Sequence, residues 1–302
     1  MDKQDCFPAK LLLFGEYSII NNSQALAIPF AKYTGCWQYG QREEQMSLVP
    51  LANYLEKLAH QGKLLAPLDL PRLHTELKNK LIFKSTIPQG YGVGSSGALC
   101  AALYHRFGEA NTNTSQDLMR LKKVLAQIES YFHGASSGTD PLVCYLQQAL
   151  LIENKSSIVP LTLPPTQAEA QYQIFLLDTK MPRETEPYVQ LFLQQCQEKT
   201  YQQQIETKLI PLVHQAIQHF IQREVDSLFT SFHELSKFQL AAFAPMIPTP
   251  FQSIWKQGLD QGLYKLKLCG AGGGGFILGM TSNFERTQEV ISNYELIPVS
   301  AC

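Results

Sequence analysis

Four glycines fall within eight residues at GYGVGSSG, residues 90–97, just ahead of an Ala- and Leu-rich run. Each glycine costs chain entropy on folding, so four together imply backbone that must come close to something. A helix starting near Ser96 and ending near Phe107 turns its first N–H groups back onto this stretch. That arrangement binds anions, phosphate above all. The GxxxxGK[ST] pattern is absent. GxGxxG occurs formally at Gly92, Gly94 and Gly97, but a dinucleotide fold wants its first glycine at the end of a strand. Here the connector IPQGY intervenes. The plain alternative is a flexible loop ending in a serine cap.

Three further stretches could carry chemistry. PAKLLLFGEY (8–17) places a lysine, Lys10, six residues before Glu16 and Tyr17. IESYFHGASSGTDPL (128–142) carries Glu129, His133 and Asp140 around a small-residue turn. KLCGAGGGGF (267–276) has five glycines in the six positions Gly270 to Gly275. Taken singly, each has an ordinary reading. Lysine is most often a surface residue. Glu129 sits one position past Ile128, beside the apolar stripe of a helix, where it could be solvated or buried. Asp140 followed by Pro141 suits a helix start, with Asp at the N-cap and Pro at N1. The glycine cluster could be a tight turn between strands or backbone close to a ligand.

Taken together and in this order, the stretches resemble the GHMP kinases, the family of galactokinase, homoserine kinase, mevalonate kinase and phosphomevalonate kinase. That family shows P-G-K-x-x-L-x-G-E-[HY], then P-x-x-G-x-G-L-G-S-S-[AG], then K-x-x-G-A-G-x-G-G. Here these are Lys10 with Gly15 and Glu16, Pro88 to Ala98, and Lys267 to Gly275; Ala9 and Val93 depart from the pattern. Mevalonate kinases carry a similar E-R-x-x-H-G-x-P-S-G-x-D, matched by Glu129, His133, Gly134, Ser137, Gly138 and Asp140. Ser136 stands where proline is usual.

The resemblance implies an α+β fold of two lobes with the active site in the cleft between them, and a kinase of small molecules using ATP and Mg²⁺. Gly90, Gly92, Gly94, Ser95, Ser96 and Gly97 would wrap the triphosphate. Ser95 or Ser96 and Glu129 would hold the metal. Asp140 would be the catalytic base, assisted by Lys10. Glu16, Tyr17, Gly272 and Gly273 would face the substrate. The implied substrate is mevalonate, phosphorylated on its primary hydroxyl. Tyr17 and Gly97 also suit phosphomevalonate kinases, for which Lys180 and Arg183 could supply cations. His133 reads as structural and Cys269 as buried filler.

These residues need positioning elements. KLLLFGEYSII (10–20) reads as a strand, a turn at Gly15–Glu16 and a return, and 25–28 and 33–39 read as further strands. Leu51, Tyr54, Leu55, Leu58 and Leu65 give residues 51–65 helical spacing, and 81–86 reads as a strand. Gln116 to Phe132 is a helix with Leu118, Leu121, Val124, Leu125, Ile128 and Phe132 on one face. A strand at 149–153 precedes SSIVPLTLPPTQ (156–167), whose three prolines suggest a seam between lobes 1–160 and 161–302. A strand at 172–177, mainly helix over 186–243, a break at PMIPTP, a helix at 251–261, two strands within 264–280 and a final helix and strand follow.

Composition narrows the class. The 302 residues are 45% hydrophobic, enough for a large core, and the net charge of -1 gives no basic field for nucleic acid or membrane. No signal-peptide core opens the chain. The expectation is a cytoplasmic protein, monomer or homodimer. Seven cysteines without a CxxC pair suggest neither a disulfide framework nor a zinc site.

Overall fold

The computed structural model describes residues 6–40, 48–108, 117–163, 171–183 and 185–299. The chain divides into two compact units interleaved along the sequence. The first takes Met1–Lys10, Pro29–Pro88 and Val93–Gln148, and the second takes Leu11–Ile28, Gln89–Gly92 and Ala149–Cys302. A single cut near residue 160 therefore does not describe compactness, because segments 11–28 and 89–92 belong with the C-terminal part.

In the first unit, β1 (Cys6–Phe14) contributes its opening residues and β2 (Ala25–Tyr39) its second half. Helices α1 (Leu48–His60) and α2 (Leu70–Lys78) lead to β3 (Leu81–Ser85), which pairs antiparallel with β2 from Gly35↔Ser85 to Tyr39↔Leu81. α1 buries Leu48, Leu51, Ala52 and Leu55, the spacing of one helix face. α3 (Ser95–Phe107) is buried continuously from Gly97 to Tyr104, so its small residues pass through the core. Trp37 on β2 anchors it, donating its indole N–H to the Ala102 carbonyl at 3.1 Å.

The expected helix over 116–132 is α4 (Leu118–His133), capped by Asp117, whose carboxylate accepts from the N–H groups of Met119 and Arg120; residue 116 lies outside the described residues. α5 (Thr139–Leu146) follows Gly138. Asp140 thus sits inside the first turn of α5; Gly138, with φ 72°, takes the capping position instead.

In the second unit, β2 pairs with β4 (Ala149–Asn154) from Ala25↔Ile152 to Ala27↔Leu150, and β4 pairs with β5 (Ser157–Leu161). Two sequence expectations change here. The strands expected at 25–28 and 33–39 are one strand that continues through Pro29. The proline-rich stretch read as a seam begins as β5; Pro160 is tolerated because β5 pairs only with β4, and an edge strand has a side on which no ladder N–H is needed. Residues 164–167 of that stretch lie outside the described residues.

The second unit also holds an antiparallel sheet formed by β6 (Gln173–Asp178), β7 (Tyr264–Leu268), β8 (Phe276–Thr281) and β9 (Leu296–Val299), in the order β7-β8-β6-β9. Its helices are α6 (Glu186–Gln195), α7 (Lys199–Gln204), α8 (Ile210–Gln222), α9 (Val225–Ala242), α10 (Thr249–Gln261) and α11 (Phe284–Val290). Phe14 packs edge-on against Phe220 of α8 and Phe232 of α9. Among the described residues, no helix is long and apolar enough to cross a membrane.

Cys6 and Cys36 form a disulfide, against the expectation from spacing. Thirty residues separate them in sequence, but they lie on neighbouring strands with Cα atoms 4.2 Å apart. Strand adjacency, invisible to a spacing rule, makes the pair.

Candidate active site

The first unit gathers Lys10, Gly94, Ser96, Gly97, Glu129, His133, Ser136 and Asp140 around the starts of two helices, α3 and α5. Gly97 is what lets these helices meet. A Cβ there would lie 3.0 Å from both the Asp140 carbonyl carbon and the Pro141 nitrogen, a backbone contact that cannot relax cheaply. Two helix N-termini thus converge, and their N–H groups and dipoles favour anionic charge.

Lys10 reaches this place because β1 carries it there. Its backbone N–H donates to the Val93 carbonyl at 2.9 Å, fixing β1 beside the glycine turn. Its ammonium lies 2.9 Å from Asp140 Oδ1. The lysine side chain is 8% exposed and the aspartate 36%, so the carboxylate keeps a solvent-facing side. Cys100 and Cys144 lie beneath, fully buried; burial raises both thiols well above their ordinary range, and the charges of Glu129 on Cys100 and Asp140 on Cys144 add to it.

Glu129 is 5% exposed and faces inward from α4, so the pattern's open choice resolves to burial. Ser96 Oγ donates to its Oε1 at 2.9 Å, and Ser136 Oγ donates to its Oε2 at 2.5 Å. His133 Nε2 lies 3.0 Å from Ser96 Oγ; with the hydroxyl proton committed to Glu129, the imidazole N–H donates to Ser96. Burial pushes the Glu129 carboxyl up to about 7, and the nearby charge of Asp140 adds to the rise. The two serine hydrogen bonds and Lys10 offset this only in part. The site therefore holds more negative charge than its own groups balance, which is the condition that favours a cation. A hydroxyl, one carboxylate and oxygens of a bound phosphate suit Mg²⁺, which keeps few protein ligands. Among the described residues, no cluster of three or more His, Cys, Asp or Glu forms a self-sufficient metal site.

The second unit gathers Gly90, Gly92, Glu16, Tyr17, Arg183 and the cluster 270–275. Arg183 N–H donates to the Gly90 carbonyl at 2.9 Å, and its guanidinium donates to the Cys269 carbonyl at 2.9 Å. A Cβ on Gly92, whose φ is 70°, would overlap that guanidinium. The Tyr91 ring stacks edge-on against Phe276, centroids 4.9 Å apart. Gly272 lies against Met246 and Gly273 against the Tyr188 ring. Glu16 pairs with Lys267, and the Tyr17 hydroxyl donates to the Ala271 carbonyl. Lys180 instead binds Asp178 and Glu295 at the surface, and their carboxylates raise its pKa.

Of the expected residues, the structure joins Lys10 to Asp140 and Ser96 to Glu129. Ser95 is the first residue of α3 and Ser96 is the serine bonded to the glutamate. Sequence reasoning did not assign a role to Ser136, seen only as a departure from proline, nor a partner to Lys267. Arg183 was noted as a cation but not as a contact of both glycine stretches.

Residues 53–148 match the family model described as the GHMP kinases N terminal domain. Solved structures match the chain along nearly its whole length. A Lin0012 protein from Listeria innocua superposes with a TM-score of 0.66 at 16% identity, covering 98% of this chain and 96% of its own. Streptococcus pneumoniae phosphomevalonate kinase, solved with phosphomevalonate and AMPPNP, gives 0.64 at 14% identity, covering 97% and 99%. L. major mevalonate kinase, solved with R-mevalonate, gives 0.62 at 15% identity, covering 99% and 96%. No curated protein matches by sequence. The chain carries a GHMP kinase N-terminal domain and has the α+β fold of that family. Members of this family are kinases of small molecules that use ATP.

Proposed function

We propose that the protein is an ATP-dependent kinase that transfers the γ-phosphoryl group to the primary hydroxyl of mevalonate, giving 5-phosphomevalonate and ADP. The observation that carries this is the Lys10–Asp140 pair, 2.9 Å apart where α3 and α5 begin. Phosphoryl transfer asks chiefly for alignment and charge stabilisation. Asp140 would accept the proton of the acceptor hydroxyl, or orient that hydroxyl, with its exposed side. Lys10 keeps Asp140 ionised and would stabilise charge developing on the transferred group.

Gly90, Gly92, Gly94, Ser95, Ser96 and Gly97 would hold the triphosphate through backbone N–H groups. Ser96 and Glu129 would hold Mg²⁺, which when bound neutralises phosphate charge. Gly272 and Gly273 would face the acceptor. This reading puts the protein in the cytoplasm, in isoprenoid-precursor synthesis, as a monomer or homodimer with no nucleic-acid or membrane partner.

A second acceptor, phosphomevalonate, is favoured by one observation: Arg183 brings a guanidinium to the glycine cluster, where an extra phosphate would need a cation. Coupled ADP release with purified protein, Mg²⁺-ATP, and mevalonate, phosphomevalonate, diphosphomevalonate, homoserine or galactose separates these. Turnover on mevalonate is expected. Turnover on phosphomevalonate alone would transfer the assignment to that acceptor, and none on any would end the kinase reading for this panel.

A further inference from the structure

The Gly15–Tyr17 turn and the Cys269–Gly275 turn are distant in sequence: 254 residues separate Tyr17 from Ala271, and 251 separate Glu16 from Lys267. Two ties nevertheless join them within the second unit. The Glu16 carboxylate meets the Lys267 ammonium at 2.5 Å, both side chains 0% exposed. Lys267 also donates to the Leu268 carbonyl at 2.7 Å and lies over the Phe14 ring. The Tyr17 hydroxyl donates to the Ala271 carbonyl at 2.5 Å. A third tie fixes the entry to the C-terminal turn: Gln239, itself fully buried, accepts the Leu268 N–H on its Oε1 at 2.8 Å.

Tyr17 adopts φ 63° and ψ -41°, a conformation rare for a residue with a side chain. Its ring is wedged between Phe192 and Phe243, with centroids 4.7 and 5.0 Å away. Such backbone geometry persists only where its surroundings over-determine it. Burial also pushes the phenol up, so it stays protonated and keeps donating. Glu16 is 2% exposed and Tyr17 4%, and each is engaged by the C-terminal turn. A side chain so placed meets an acceptor only by giving up those bonds.

We propose that Glu16, Tyr17 and Lys267 are positioning residues that fix the Cys269–Gly275 backbone, rather than residues that touch the acceptor. This rests on the kinase reading. A turn of five glycines has little stiffness of its own. Its N–H groups stabilise developing charge only if they are held in place before reaction begins.

The test pairs Tyr17→Phe with Lys267→Arg, both mild enough to fold, and reads two quantities. Hydrogen exchange followed by mass spectrometry on the unliganded protein should show amides of 270–275 exchanging about three- to tenfold faster in Tyr17→Phe, the worth of one lost hydrogen bond. Peptides from α1 to α5 should be unchanged. In turnover, kcat should fall about tenfold for mevalonate and phosphomevalonate alike, with acceptor KM within about twofold, since a transition-state contact is loosened and ground-state binding is not. Lys267→Arg should retain more of the protection than Lys267→Met. Unchanged exchange at 270–275 would overturn the clamp. So would a rise in acceptor KM at constant kcat, or a changed preference between the two acceptors, since either marks direct contact. Absence of wild-type turnover on every acceptor would refute the kinase reading, while the exchange data would still decide the clamp.

Discussion

Glu129→Gln removes a charge and almost nothing else. In the wild type the carboxyl is held near 7 against an ordinary 4.5. Because the folded value lies above the unfolded one, the folded state binds more protons between these limits. Stability of the unliganded protein therefore declines as pH rises from about 4.5 to about 7 and levels off above. The difference, at 1.4 kcal/mol for each pH unit, is about 3 kcal/mol. A glutamine carries no such burden, so Glu129→Gln should be more stable than wild type at pH 8 by about 1–3 kcal/mol. At pH 5 the two should be nearly equal. Thermal melts of both proteins across pH 5–8 without nucleotide or metal read this directly; for a chain of this size each kcal/mol moves Tm by about 2–4 °C. The same variant should lose Mg²⁺-dependent turnover, so that stability and activity move in opposite directions. A Tm difference that is the same at pH 5 and pH 8 would refute the reasoning. It would mean that the buried carboxylate is already compensated and has no need of a cation.

Three other outcomes are expected. Asp140→Ala should lower kcat by about 10²–10⁴ while leaving nucleotide affinity, measured by calorimetry, within a few-fold; equal loss of both would make Asp140 structural. Gly97→Ala should cost about 1–3 kcal/mol of stability and most of the activity, because the new methyl pushes α3 away from the backbone at Asp140–Pro141; a melt indistinguishable from wild type would contradict this. Reducing the Cys6–Cys36 bond should destabilise the first unit by about 3–4 kcal/mol, the chain-entropy value for a loop of this size, and Cys6→Ser should reproduce the reduced melt.

The fold and much of the site were legible because glycine is informative. Gly90, Gly92, Gly94 and Gly97, with the cluster at 270–275, mark places where only bare backbone fits, and the structure supplies the neighbours that explain two of them: Arg183 at Gly92 and the α5 backbone at Gly97. The helix stripe ending at Ile128 located Glu129 to within one position, but periodicity could not say whether a carboxylate at the stripe's margin turns in or out. Asp140–Pro141 misled for a similar reason. Local capping preference favours Asp at the N-cap, yet Gly138 in a left-handed conformation takes that place and lets Asp140 face Lys10.

What stayed hidden was long-range pairing. Glu16 with Lys267, Cys6 with Cys36, and Ser136 with Glu129 are contacts created by topology, and each partner alone looks ordinary in the sequence. Ser136 shows the limit well. A residue that merely departed from a motif proves to donate one of the two hydrogen bonds on the buried carboxylate.

The sulfur atoms have a practical consequence. Cys100 and Cys144 lie sealed under the Lys10–Asp140 pair with their thiols held neutral, and Cys269 is 2% exposed. Cys196, by contrast, is only partly covered. A maleimide or iodoacetamide dye applied without reductant will accordingly label the helix-end cysteine at 196 in preference to the three buried ones. A fluorophore or spin label attached there would report on nucleotide and acceptor binding while the chemistry of the Lys10–Asp140 pair goes on undisturbed.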